Sequence, residues 1–184
     1  MPKTNAPARK KIIEAFRGLL RRKSYMDITV TDIINEAGVS RSTYYRNFYK
    51  RDEIVDAYCE QLRDEIHIHH EKAYKGNISN ADMSEKLSFA FSFYRERRDD
   101  IMLLYRNGFG SQLLSVMNKY SEEIFGDMPY SSVEKYKVYF ISGAMYNILI
   151  KWLETGAAED PDELANTLEQ YFYNGISYTR ADTQ

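Results

Sequence analysis

The chain has 184 residues, is 43% hydrophobic and 14% aromatic, and carries a formal net charge of −2. It is long enough for one large domain or two small ones and apolar enough to bury a core, which excludes a disordered chain. The single cysteine, Cys59, excludes an internal disulfide and suits a reducing cytoplasm, and Met1 to Lys11 lacks the apolar core of a signal peptide.

The longest nearly apolar run, YFISGAMYNILI, holds 12 residues, short of the roughly 20 that a membrane span needs. The small net charge hides an asymmetry. Residues 1–51 carry 12 Lys and Arg against 4 Asp and Glu, whereas residues 52–184 carry 13 against 23. A basic module that meets a polyanion, joined to an acidic body that does not, is the expectation.

With 4 Pro and 9 Gly, long helices with few turns are expected, and the periodicity is helical almost throughout. Ile12, Phe16, Leu19 and Leu20 place a first helix near residues 7–22. Thr29 caps a second, with Asp32 three residues on as a variant capping box. Val30, Ile33, Ile34 and Ala37 form its apolar stripe, and Gly38 ends it. Ser40 caps a third helix that begins at Arg41. A long fourth spans Asp52 to Lys75, and GNISN follows as a loop. Ala81–Arg97, Asp100–Asn107 and Ser111–Phe125 read as helices. Ser131–Thr155 is strongly apolar and ends at Gly156. Asp160, Pro161 and Glu163 then restart the chain as a last helix with Leu164, Leu168, Tyr171 and Phe172 on one side. No stretch reads as a strand. The fold class expected is all-α, with about nine helices.

AGVSRSTYYRNFYKR, at residues 37–51, is the most distinctive stretch. At 100° per residue, Tyr44 and Phe48 face inward, while Ser42, Tyr45, Arg46 and Tyr49 cluster outward. A short helix, a tight turn with glycine and a second helix with a basic outer side make a helix-turn-helix pattern. Such a helix fits a DNA major groove about 12 Å wide. Arg41, Ser42, Thr43 and Arg46 are candidates for the groove, and Asn47 for adenine if it points that way. Tyr45, Lys50 and Arg51 suit phosphates. Thr29 and Thr31 open the second helix, where a hydroxyl and free backbone N–H groups also meet phosphate.

These residues resemble a known family. Residues 8–55 are similar to the N-terminal domain of the TetR family of bacterial transcriptional regulators, through ITVTDIINEAGVS and then RSTYYRNFYKRDEI. Two positions depart from the pattern: Tyr44 stands where leucine is usual, and Ser24 where glycine is common. The resemblance implies a helix-turn-helix domain at residues 1–51 and a helical ligand-binding and dimerisation domain at 52–184. It implies a homodimer on a palindromic double-stranded DNA operator, with half-sites ~34–36 Å apart, and a repressor that an effector releases. It also implies a four-helix bundle across the two-fold axis from the last two helices. Apolar residues on several sides of residues 133–153 agree with that. The expected interface comprises Tyr139, Gly143, Ile148 and Trp152, with Leu164, Leu168, Tyr171 and Phe172.

The resemblance places an effector pocket in the body. The expected lining is Phe89, Phe93, Met102 and Tyr105, with Leu113, Met117, Phe140 and Met145, a set suited to a flat or greasy small molecule. The alternative is a body that answers to a protein partner, as an activator. WLETGAAEDPDELA resembles a subgroup that includes the activator of dihydroxyacetone kinase genes.

Other constellations point away from chemistry. EIHIHHEK carries His67, His69 and His70, read as a solvated helix face and not as a metal site. Cys59 and His67 lie eight residues apart, ~12 Å along one helix, too far for a nucleophile–base pair. NGFGSQ follows no strand and is no nucleotide loop. No enzyme, cofactor or metal is expected.

Overall fold

A computed structural model describes residues 6–74, 82–125, 133 and 135–174. Among them the chain is all-α: nine α-helices and one 3₁₀ turn, with no strand. The helices are α1 (Ala6–Leu20), α2 (Val30–Ala37), α3 (Arg41–Asn47), α4 (Asp52–Tyr74), α5 (Met83–Glu96), α6 (Arg98–Arg106), α7 (Gly110–Phe125), α8 (Lys135–Glu154) and α9 (Pro161–Asn174). The 3₁₀ turn covers Tyr25–Asp27. The loop expected at GNISN and the expected start of the eighth helix at Ser131 lie outside the described residues.

The chain divides into two compact units. One holds the described residues up to Glu65 together with those from Asp99 to Asn147; the other holds Ile66–Arg98 and those from Ile148 onward. Helices α4 and α8 each contribute to both units.

In the first unit, α1, α2 and α3 pack together around Ile12, Phe16, Ile28, Ile33, Tyr44 and Phe48, all buried. Local chemistry sets the helix ends. The Thr29 side chain accepts from the Asp32 N–H at 3.1 Å, and Asp32 Oδ2 accepts from the Thr29 N–H at 2.8 Å, which closes the expected capping box. Gly38 ends α2 at φ 61, left-handed backbone that most side chains resist. Ser40 caps α3 by accepting from the Thr43 N–H at 3.1 Å. Ser24, which replaces the more usual glycine, caps the 3₁₀ turn at φ −57, so no glycine conformation is needed there.

Two long-range contacts join α1 and its following turn to the rest of this unit. Arg17 and Arg21 converge on Asp100 in the first turn of α6. Tyr25 stands edge-on against Phe109 at 4.8 Å, and its N–H donates to Asn107 Oδ1 at 3.4 Å.

In the second unit α5 packs along α9. The Ser84 N–H donates to Glu169 at 3.1 Å, and the Ser84 and Ser88 hydroxyls donate to Asn166 and Asp162. Helix α5 begins at Met83, where Asp82 caps it by accepting from the Glu85 N–H at 2.8 Å; the expected start at Ala81 lies outside the described residues. Phe91 and Trp152 meet edge-to-face at 5.3 Å, and the Arg98 Nε donates to the Leu153 carbonyl at 2.7 Å.

Candidate nucleic-acid interface

Helix α3 has one buried side and one open side. Tyr44 and Phe48 are buried, with ring centroids 6.5 Å apart, and anchor the helix to the head. The open side carries Arg41, Ser42, Tyr45 and Arg46, and Tyr49 and Lys50 follow it. Arg41, Arg46 and Lys50 make no hydrogen bond or ion pair among the described residues, so three cations face water unneutralised. Tyr45 is half exposed and stands edge-on against Tyr44 at 5.3 Å. Thr29 and Thr31, at the start of α2, are exposed too. The Ser42 and Thr43 hydroxyls each lie 2.9 Å from the Ser40 hydroxyl, at the N-terminal end of α3.

Two residues expected at this surface are engaged inward. The Asn47 amide donates to the Thr43 carbonyl at 2.8 Å, and its own side-chain oxygen is buried without a partner. Arg51 directs Nη1 at the carbonyls of Ile28 and Tyr25, and its guanidinium lies 4.7 Å over the Tyr25 ring. A guanidinium is planar and presents several donors, so Arg51 can tie the 3₁₀ turn to the start of α4. Tyr25 completes that tie by donating to Asp52. Burial first, then Asp52, pushes the Tyr25 hydroxyl up to about 12. The buried Tyr44 hydroxyl has no partner, and burial raises its pKa as well.

Asp32 ionises unusually readily. The Lys23 ammonium, at 2.9 Å, is the largest cause, and the Thr29 cap adds to it. The α2 cap thus keeps its negative charge across the physiological range.

The residues expected to line an effector pocket fall into both units. Met102, Tyr105, Leu113, Met117, Phe140 and Met145 belong to the first, Phe89 and Phe93 to the second. Phe140 is 68% exposed, which removes it from any enclosed lining within the described chain. A cavity of about 400 Å³ in the first unit lies between α4 and α7, beside Asp56, Cys59, Glu60, Ser111, Ser115 and Lys119, and none of the eight lines it. Burial pushes the Cys59 thiol up to about 12, so it is inert at neutral pH. In the second unit a wider groove of about 630 Å³ runs between α5 and α9, and Phe89 lines it beside Tyr74.

Of the histidines expected on a solvated face, His69 is exposed and His67 half-buried, whereas His70 turns inward. His70 is buried, with its ring 4.4 Å from Phe89, and His69 stands edge-on against Phe93. Aromatic neighbours one helix away draw His70 inward, a placement that charge spacing along α4 does not reveal. Among the described residues no group of three or more His, Cys, Asp or Glu is arranged to hold a metal ion.

Of the expected interface residues, Tyr139 is exposed and donates to Glu122 at 2.6 Å. A side chain at Gly143 would meet nothing within 4 Å. Ile148 and Leu164 are half-buried and Tyr171 is exposed. Trp152 and Leu168 are buried within the chain itself, where Trp152 packs on Phe91. The Phe172 side chain lies outside the described residues.

Residues 81–174 match a family model described as a transcriptional regulator C-terminal region, of TetR type. The chain belongs to the TetR family of transcriptional regulators. A curated relative of this TetR-family chain, the HTH-type transcriptional regulator AlkX of Mycobacterium tuberculosis, is 27% identical over 101 residues. Those residues are 55% of this chain and 47% of the relative, so the match spans about half of that protein's length. Among solved structures, the dihydroxyacetone kinase operon activator DhaS superposes with a TM-score of 0.58 at 18% identity, covering 92% of this chain and 96% of that one. The TetR family repressor AlkX of a Dietzia species, implicated in biodegradation of n-alkanes, superposes with a TM-score of 0.50 at 21% identity, covering 90% and 93%. At such identities the structural likeness concerns the TetR-type fold alone. The relatives are transcriptional regulators and not enzymes. No described helix of this TetR-family regulator is long and apolar enough to cross a membrane.

Proposed function

We propose that this regulator is a homodimeric repressor that inserts α3 of each subunit into successive major grooves of a palindromic operator. The observation that carries the reading is the open side of α3, where Arg41, Arg46 and Lys50 have no neutralising partner among the described residues while Tyr44 and Phe48 hold the helix from beneath. Unpaired cations beside a groove-sized helix suit phosphate and guanine contacts. Within the domain at residues 1–51, Arg41 and Arg46 read bases, while Ser42, Thr43, Tyr45, Lys50, Thr29 and Thr31 meet phosphate or bases nearby. Asn47 and Arg51 support the surface from within, as their inward bonds indicate.

The body at residues 52–184 supplies the second copy and the response to an effector. Dimerisation uses the exposed aromatic sides of α8 and α9, at Tyr136, Tyr139, Phe140 and Tyr171. The AlkX relatives include a repressor, which supports that sign of regulation. A second reading is an activator whose body answers to a protein partner; the likeness to the dihydroxyacetone kinase operon activator DhaS supports that sign.

Selection of bound sequences from random duplexes tests the reading. The expected product is an inverted repeat with half-site centres about 10 base pairs apart or a multiple of that. Recovery of sequences no more alike than the starting pool would reject it.

A further inference from the structure

We propose that Arg9, on α1, is a positioning residue for the recognition helix α3. The inference rests on the DNA-binding reading above and deepens it.

Helix α3 has seven residues, a length that is marginal in water without tertiary support. Its N-terminal end is capped by Ser40. At its C-terminal end the Thr43 and Tyr44 carbonyls accept from the Asn47 amide and the Phe48 N–H, and the carbonyls beyond them need a partner from outside the helix. Arg9 supplies that missing partner: Nη1 donates to the Asn47 carbonyl at 3.2 Å, across 38 residues of sequence. The same guanidinium lies 4.4 Å from the centroid of the Phe48 ring, which is itself buried. One planar cation therefore caps the carbonyl end of α3 and covers the aromatic anchor beside it, where the helix dipole and the ring both favour positive charge.

The position of Arg9 on its own helix supports this. It stands near the start of α1, where the helix dipole disfavours a cation, and α1 has no acidic residue in its first turn. The favourable partners of Arg9 lie on α3 and not on α1. The segment after α3 is fixed from the other side, where the Tyr49 N–H donates to Glu53 at 2.7 Å. Arg9 and Glu53 together set where α3 ends, and so the angle at which Arg46 is presented.

Arg9→Ala and Arg9→Lys test this. The measurements are the ratio of operator to random-duplex affinity, its salt dependence, and hydrogen exchange at the Phe48 amide in the free protein. That amide donates to the Tyr44 carbonyl at 2.9 Å and reports on the last turn of α3. Expected are a ratio reduced roughly fivefold in Arg9→Ala, a partial recovery in Arg9→Lys, an unchanged salt slope, and faster exchange at Phe48 than at Ile33 of α2. Lysine keeps the charge but lacks the flat, multi-donor head. A merely destabilised fold would lower both affinities alike and leave their ratio in place. An unchanged ratio overturns the proposal. A uniform loss of affinity with a shallower salt slope also overturns it, since Arg9 would then be a phosphate contact. If the wild-type protein showed no sequence preference, the DNA-binding reading would fail, and exchange at Phe48 would still decide whether Arg9 holds the end of α3.

Discussion

Arg17 grips Asp100 with two nitrogens, Nη2 at 2.6 Å from Oδ2 and Nε at 2.8 Å from Oδ1, across 83 residues of sequence. Arg21 adds Nη2 at 2.8 Å from Oδ1. The Asp100 side chain is 14% exposed, whereas Arg17 and Arg21 are more open to water. The nearby Tyr58 side chain is buried, and burial first, then Asp100, raises its pKa.

Asp100→Asn keeps the shape of this junction and removes its charge. Two guanidinium groups then share one neutral acceptor, and the fold should lose about 1–3 kcal/mol, between the values for exposed and buried pairs. Urea unfolding of the variant against wild type gives the number. A coincident midpoint would mean that the cluster adds nothing to stability.

Arg46→Ala should reduce discrimination between operator and random duplex by about 1–3 kcal/mol, as expected for a base reader. Lys50→Ala should weaken all duplexes alike and lower the salt slope by about one. Arg51→Ala belongs to neither class. Its guanidinium holds the Ile28 and Tyr25 carbonyls, so its loss should lower the melting temperature of the head. A full-sized fall in salt slope with unchanged melting would instead place Arg51 on a phosphate.

Phe140 is 68% exposed on α8, and Gly143 nearby leaves open space above it. Burial of such a ring against a second copy is worth about 1.5–3 kcal/mol. Phe140→Glu should therefore shift sedimentation from twice the 21.6 kDa chain mass toward the single chain. A variant that stays at double mass moves the interface elsewhere.

His70 supplies a pH dependence. Burial first, then the neighbouring His67, lowers its pKa from 6.5 to about 4. The Tyr74 and Phe89 rings pack against it. Because the folded pKa is depressed, the unfolded chain binds the proton first as pH falls. Stability should be full above about 6.5 and decline toward about 4, by up to roughly 3 kcal/mol. His70→Gln should flatten that part of the stability profile. An identical decline in wild type and variant would assign it to other groups.

Much of this architecture was legible along the chain. The Thr29–Asp32 box, the Gly38 stop, the Ser40 cap and the Asp160–Pro161 restart all stand where their residue types indicate. So does the inward turn of Tyr44 and Phe48. The inward turn of Asn47, by contrast, was open, because an asparagine at that position suits adenine or a carbonyl one turn back. Arg51 is ambiguous from residue order, because a basic residue after a recognition helix suits a phosphate or a neighbouring carbonyl alike. Residue type alone marks soft and aromatic side chains as an effector lining, and it does not tell which compact unit a side chain joins.

Helix ends, faces and the basic character of the head thus follow from residue order, since a helix closes its hydrogen bonds within four residues and its caps within three. The partners of Arg9, Arg17, Arg51 and Asp100 do not. Those contacts span 38, 83 and 23 residues, and a guanidinium is chemically suited alike to phosphate, carboxylate, carbonyl and ring. Which of these it meets depends on the packing that brings distant segments together.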